Sequence, residues 1–114
     1  MNLNVNIHED IDKFIVNLSG EIDAYTAPEL KENLLPLTKQ AGNVVEINFE
    51  NVEYMDSTGL GIFVSALKST KENKSSMKLV NLQERILRLF RITGLDKIID
   101  IDTTIRGESV NGKL

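Results

Sequence analysis

Val44-Val45-Glu46-Ile47-Asn48-Phe49, then Leu60, Phe63, Val64 and Leu67, then residues 77–82 form the stretch on which the architecture turns. The first run is rich in β-branched residues and predicts a strand. The four apolar residues that follow recur at i, i+3, i+4 and i+7, which predicts a helix over residues 58–70. A polar turn at 71–76 leads into a second strand at 77–82. Strand, helix and strand in this order make a βαβ unit. Its crossover is expected to be right-handed and its two strands parallel.

Upstream, Leu3, Val5 and Ile7 alternate with Asn4, Asn6 and His8, and Phe14, Val16 and Leu18 alternate in the same way. Period two predicts two half-buried strands, paired as a hairpin. Ser19-Gly20-Glu21-Ile22-Asp23 reads as a loop. Thr26-Ala27-Pro28-Glu29 opens a helix, with Thr26 and Glu29 placed as a capping box. Leu30, Leu34 and Leu37 form its buried stripe. Pro36 lies inside that stripe and should kink or shorten the helix, and Gly42 is a stop. Residues 50–57 read as a second loop. Downstream, Ile86, Leu89 and Phe90 mark a third helix that Gly94 ends. Residues 98–101 read as a last strand, and 106–114 as a frayed polar tail. The expected architecture is one α/β (α+β) domain over residues 1–114, a mixed sheet of about five strands with helices packed on it.

Composition removes whole classes of function. The chain has 114 residues, no cysteine and one histidine, His8. Disulfides, thiolate metal sites, cysteine nucleophiles and any site needing two histidines are excluded. Thirteen Lys/Arg against 17 Asp/Glu leave a formal charge of −4, which attracts neither nucleic acid nor an anionic membrane. No apolar run approaches the roughly 18 residues of a spanning helix. The start, Met1-Asn2-Leu3-Asn4, carries no basic region followed by an apolar block, so a cytoplasmic location is expected.

Chemistry concentrates after strand 44–49, because ligands and partners bind outside the carboxyl ends of parallel strands. Asp56 or Ser57 is a good helix N-cap. Gly59 and Gly61 are poor choices for a first turn, at about 1 kcal/mol each relative to Ala. They allow a backbone or bulky group to come close. One account is purely structural, a cap with two small residues packed near the sheet. The other makes Ser57 a phosphate acceptor, its added charge of about −2 stabilised by the positive end of its own helix.

Ser19-Gly20-Glu21-Ile22-Asp23 and Met55-Asp56-Ser57-Thr58-Gly59-Leu60-Gly61, at this spacing, resemble the anti-sigma factor antagonist family. These are single-domain members of the sulfate transporter and anti-sigma antagonist (STAS) fold. The resemblance spans nearly the whole chain and is nearer the general-stress branch of Gram-positive bacteria than the sporulation branch. It implies partner switching. The unphosphorylated protein binds an anti-sigma factor that is also a serine kinase, which frees the sigma factor. The kinase then phosphorylates Ser57 and the complex dissociates, and a metal-dependent serine phosphatase restores binding. Asp56, Thr58, Gly59, Leu60 and Gly61 are implied to form the partner surface around Ser57, with Asp23 flanking it. No catalytic residue, metal or cofactor belongs to such a protein.

Asp23 also reads as a turn carboxylate that accepts a backbone N–H. Arg85, Arg88 and Arg91 recur every three residues, as a basic patch or, more simply, a solvated helix face. Tyr25, Tyr54 and Met55 read as residues that bury the loops. Two other functions stay open. A receiver-like domain would phosphorylate Asp56 with magnesium held by Glu9 and Asp10. Against it stand the distance of Asp56 from Phe49, the missing Met-Pro pair and the strand at 13–18. A stand-alone module acting on a transporter is the second. The Asp-Ser/Thr-Gly half-site of aspartic proteases does not fit, because two residues separate Asp56 from Gly59.

Overall fold

The chain runs β1 (Leu3–Glu9), β2 (Phe14–Ile22), α1 (Ala27–Thr38), β3 (Val44–Met55), α2 (Ser57–Asn73), β4 (Ser76–Val80), α3 (Glu84–Ile92), a 3-10 turn (Leu95–Lys97) and β5 (Asp100–Ile101) in a computed structural model that describes residues 2–103. The tail expected at 106–114 lies outside the described residues. The strands form one sheet in sequence order. The β1–β2 hairpin is antiparallel, and β2, β3, β4 and β5 are parallel neighbours. This is the expected mixed five-stranded α/β sheet, in which each helix links two adjacent parallel strands.

Alternation decides which face is covered. Val16, Leu18 and Ile22 of β2 and Val45, Ile47 and Phe49 of β3 join Leu30, Leu34, Phe63, Ile86, Leu87 and Phe90 of the helices in one core. Phe49, Phe63 and Phe90 meet at its centre, with ring centroids 5.3 to 6.4 Å apart. The opposite face is polar. Asn48 bonds Asn17 and Asn81 across the strands at 2.9 Å, and Lys13 pairs with Glu46 at 3.0 Å.

Two of the expected loops are strand. β2 continues through Ser19 to Ile22, and β3 continues through Glu50 to Met55. The cause is two irregularities in β3, where it carries one extra residue between the partners of Asn17 and Ser19 and another between those of Gly20 and Glu21. Such bulges break period two while the ladder goes on. They are why the inward positions run Phe49, Val52, Met55 rather than every second residue.

Smaller shifts follow from packing. Thr38 takes the fully buried place expected of Leu37, and Leu87 that expected of Leu89, each neighbour being only partly buried. α2 runs on to Asn73, β4 ends at Val80, and residues 98–99 lie between the 3-10 turn and β5 rather than in the strand. α1 ends two residues after Pro36, whose carbonyl accepts from Lys39 N.

Candidate functional site

The parallel ends of β2 and β3 finish side by side, at Ile22 and Met55. The turn after β3 is tied to the end of β2. Asp56 N donates to Ile22 O at 3.2 Å. Asp56 has the extended backbone of an N-cap, and its Oδ1 accepts from Thr58 N at 2.9 Å. This caps α2 as expected and leaves Ser57 at its first helical position, exposed. Thr58 and Gly61 are exposed as well, and Gly61 lies one turn from Ser57 on the same helix face.

Gly59 and Leu60 point the other way and are buried. A Cβ at Gly59 would lie 2.5 Å from Met55 Cγ and 2.8 Å from Ile22 Cγ2. Its missing side chain lets α2 start directly over the ends of β2 and β3. Of the two helix glycines, one is therefore explained by packing. At Gly61 a Cβ would meet nothing within 4 Å, so the fold gives no reason for that glycine.

Asp23 is buried at the turn between β2 and α1. Its Oδ1 accepts from Tyr25 N at 2.9 Å and Thr26 N at 3.0 Å, while Asp23 N donates to Thr26 Oγ1 at 2.9 Å. This is a reciprocal capping pair, one turn upstream of the one expected between Thr26 and Glu29. Thr26 has a helical backbone and makes no N-cap side-chain bond; its Oγ1 instead accepts from Asp23 N and donates to Glu21 O at 2.9 Å. The structural account of Asp23 therefore holds, and the same bonds fix its carboxylate within the turn.

Asp23 and Asp56 share a hollow of about 350 Å³ with Glu21, Ala24, Tyr25 and Tyr54. Tyr25 is 87% exposed and Tyr54 50%, so neither buries a loop, while Met55 does. The second irregularity in β3 sets Tyr54 opposite Glu21. Sequence reasoning missed Glu21 and both tyrosines as site residues. The signal available was two tyrosines, each within two residues of a motif aspartate.

The other singled-out residues lie elsewhere or are held locally. Arg85, Arg88 and Arg91 are exposed. Arg85 donates to Glu53 O at 2.6 Å, and Arg91 pairs with Glu84 at 3.1 Å. Among the described residues, no group of three or more His, Cys, Asp or Glu is placed to hold a metal ion. Glu9 pairs with Phe14, where β2 starts, whereas Asp56 bonds Ile22, where β2 ends. At ~3.3 Å per residue, a strand of this length separates the two sites by about 26 Å. The acids of a receiver cannot meet at Asp56.

A sequence model of the STAS domain matches residues 2–107. The chain belongs to the STAS domain family. The Bacillus subtilis anti-sigma-B factor antagonist is 49% identical to this STAS domain over 107 residues, covering 94% of this chain and 97% of its own. The Listeria monocytogenes anti-sigma-B factor antagonist is 47% identical over 113 residues, covering 98% and 97%. Within the family, the chain therefore groups with the anti-sigma factor antagonists of the sigma-B type. A crystal structure of an anti-sigma factor antagonist from Mycobacterium paratuberculosis superposes with a TM-score of 0.80 at 24% identity, over 90% of this STAS domain and 87% of that chain. That likeness is one of fold. No helix among the described residues is long and apolar enough to cross a membrane.

Proposed function

We propose that this STAS domain is an anti-anti-sigma factor, switched by phosphorylation of Ser57. Unphosphorylated, it binds an anti-sigma factor that is also a serine kinase and so releases a sigma factor. Transfer of the ATP γ-phosphoryl group to Ser57 Oγ ends the complex, and a serine phosphatase resets it. The chain is a substrate and competitive binder rather than a catalyst. A cytoplasmic, single-domain protein fits that role.

The observation that carries the proposal is Ser57 itself, exposed at the first position of a 17-residue helix beside the joined ends of β2 and β3. Asp56 caps through Thr58 N, so the cap does not depend on the Ser57 hydroxyl. A phosphate there sits at the positive end of α2 and leaves the core untouched. Its effect falls on whatever docks at this surface. Incubation with ATP and the cognate kinase is expected to add one phosphate, acid-stable and mapped to Ser57. An alkali- and hydroxylamine-labile phosphate at Asp56 would sink the proposal.

Gly61 supplies a second test. Ala at this exposed helix position should raise stability by about 1 kcal/mol, read as a higher melting temperature. If a partner closes on the Ser57–Gly61 face, the same methyl group intrudes there, and affinity for the kinase should fall by about tenfold. Unchanged affinity would remove Gly61 from the contact surface.

A further inference from the structure

Among the described residues β1 pairs with β2 alone, so its other edge is open. Even-numbered residues of β1 turn their peptide groups toward β2. Asn2 O accepts from Glu21 N and Asp10 N donates to Lys13 O, each at 2.8 Å, and in an antiparallel pair both groups of one residue point to the same side. Leu3, Val5, Ile7 and Glu9 therefore direct N–H and C=O outward. Such a row is a template for another strand, and sheets guard against it with short edge strands, Lys, Pro or bulges. At the far edge of this sheet, β5 is only two residues long. β1 runs for seven residues with no Lys, Arg or Pro, and its register with β2 is unbroken. Ile7 stands on this edge with 39% of its surface exposed.

The strand is complementary to itself. Laid antiparallel on a second copy about an axis through Asn6, Leu3 meets Glu9, Val5 meets Ile7, Asn4 meets His8 and Asn6 meets Asn6. Every outward N–H and C=O then finds a partner, whereas a shift by two residues strands those at one end of each β1. Val5 and Ile7 lie opposite Leu18 and Val16 of the core face, so their pairing extends that face. On the polar face, Asn81 Nδ2 donates to Asn48 Oδ1 and Asn48 Nδ2 to Asn17 Oδ1, each at 2.9 Å. Asn6 is opposite Asn17, so this row of amides reaches the edge and runs on across the axis. Glu9 is the strand's acid, and the pairing keeps the two copies of it about 20 Å apart, well beyond the screening length in physiological salt. We propose that two copies of this chain join through β1 into one continuous sheet. A single strand pair covers less than the ~1,200 Å² of a standard interface, so a reversible dimer with Kd between about 10 µM and 1 mM is expected. The axis stands perpendicular to the sheet. It keeps both sets of helices on one face and turns the two Ser57 residues to opposite ends, so the inference does not rest on the Ser57 switch.

Sedimentation equilibrium of the full chain from about 5 µM to 1 mM should show a monomer passing to a dimer. Ile7→Pro removes an outward N–H and none that bonds β2, a place where a strand tolerates proline. It should weaken self-association by about tenfold or more with an unchanged circular dichroism spectrum. Asn6→Lys and Asn6→Asp each set like charges opposite one another across the axis, and each should weaken the dimer by about fivefold. An equimolar mixture of the two should regain wild-type affinity, because Lys then meets Asp. In magnetic resonance spectra the amides of Val5 and Ile7 should gain about twofold or more exchange protection with concentration. Those of Asn4 and Asn6, already turned to β2, should not.

A chain that stays monomeric up to about 1 mM overturns the inference. So does a dimer that survives Ile7→Pro and both Asn6 variants, since its contact then lies on another surface. If the mixture of Asn6→Lys and Asn6→Asp associates no better than either alone, the axis does not pass through Asn6 and the pairing fails. Ser57→Asp, distant from the edge, should leave self-association within about twofold of wild type. A dimer that Ser57→Asp dissolves is held by the switch surface instead, and that result also removes the β1 edge.

Discussion

Ser57→Asp is expected to lower affinity for the anti-sigma kinase by about 1000-fold while the melting temperature moves by less than about 3 °C. The two halves of this prediction have separate causes. A kinase must bring the acceptor hydroxyl close to the ATP phosphates. Two unit charges about 4 Å apart, in surroundings of effective dielectric near 20, repel by about 4 kcal/mol, which takes a nanomolar complex to micromolar. Asp56 is the adjacent residue and adds to the negative charge. Within the free protein the balance differs. The new carboxylate lies at the N-terminus of α2, where it gains roughly 0.3–1 kcal/mol from the helix dipole, and Asp56 repels it by a similar amount. The side chain is exposed, so no core contact is lost. Titration calorimetry and a thermal melt on the same preparation check both halves. Wild-type affinity in the Asp variant would remove the electrostatic switch.

Gly20→Ala is expected to destabilise the fold by about 3 kcal/mol, a melting temperature lower by about 12 °C. Gly20 has φ of +114°, a backbone that residues with a Cβ rarely adopt. A Cβ built there runs into the carbonyl oxygen of Asn2 and lies 3.2 Å from its carbonyl carbon. The obstacle is backbone, so no rotamer relieves it. That same carbonyl oxygen accepts from Glu21 N at 2.8 Å. Relief must therefore pull β1 from β2 at the end of the hairpin. The damage reaches function, since Glu21, Ile22 and Asp23 follow directly and hold one side of the hollow. A thermal melt gives the measurement, and an Ala variant that melts within about 2 °C of wild type would show that the clash is absent.

The strands and helices of regular period were legible without coordinates. Val45, Ile47 and Phe49 and the stripe around Leu60 and Phe63 placed the central βαβ unit correctly, because burial on one face imposes a period on the chain. Ser57 was legible as a hydroxyl at a helix start for the same local reason, since Asp56 caps by itself. The ends of β2 and β3 were not legible. Two extra residues in β3 break the period at Glu50 and again at Glu53, and a broken period reads as loop. With those strand ends misread, Tyr25 and Tyr54 passed for loop packing. Leu60 and Gly59 passed for surface because they share a motif with Ser57, whereas the helical turn of 100° per residue sends them inward.

By itself the chain determined its elements, its hairpin, the parallel central pair and a serine at the head of α2, all consequences of local periodicity and capping. Tertiary structure alone decided that Asp23 and Asp56 line one hollow and that the two tyrosines stand in water. Those outcomes depend on contacts between segments about 30 residues apart in sequence. Local pattern carries no record of which carbonyl an amide will find, and here the bond from Asp56 N to Ile22 O brings the two turns together.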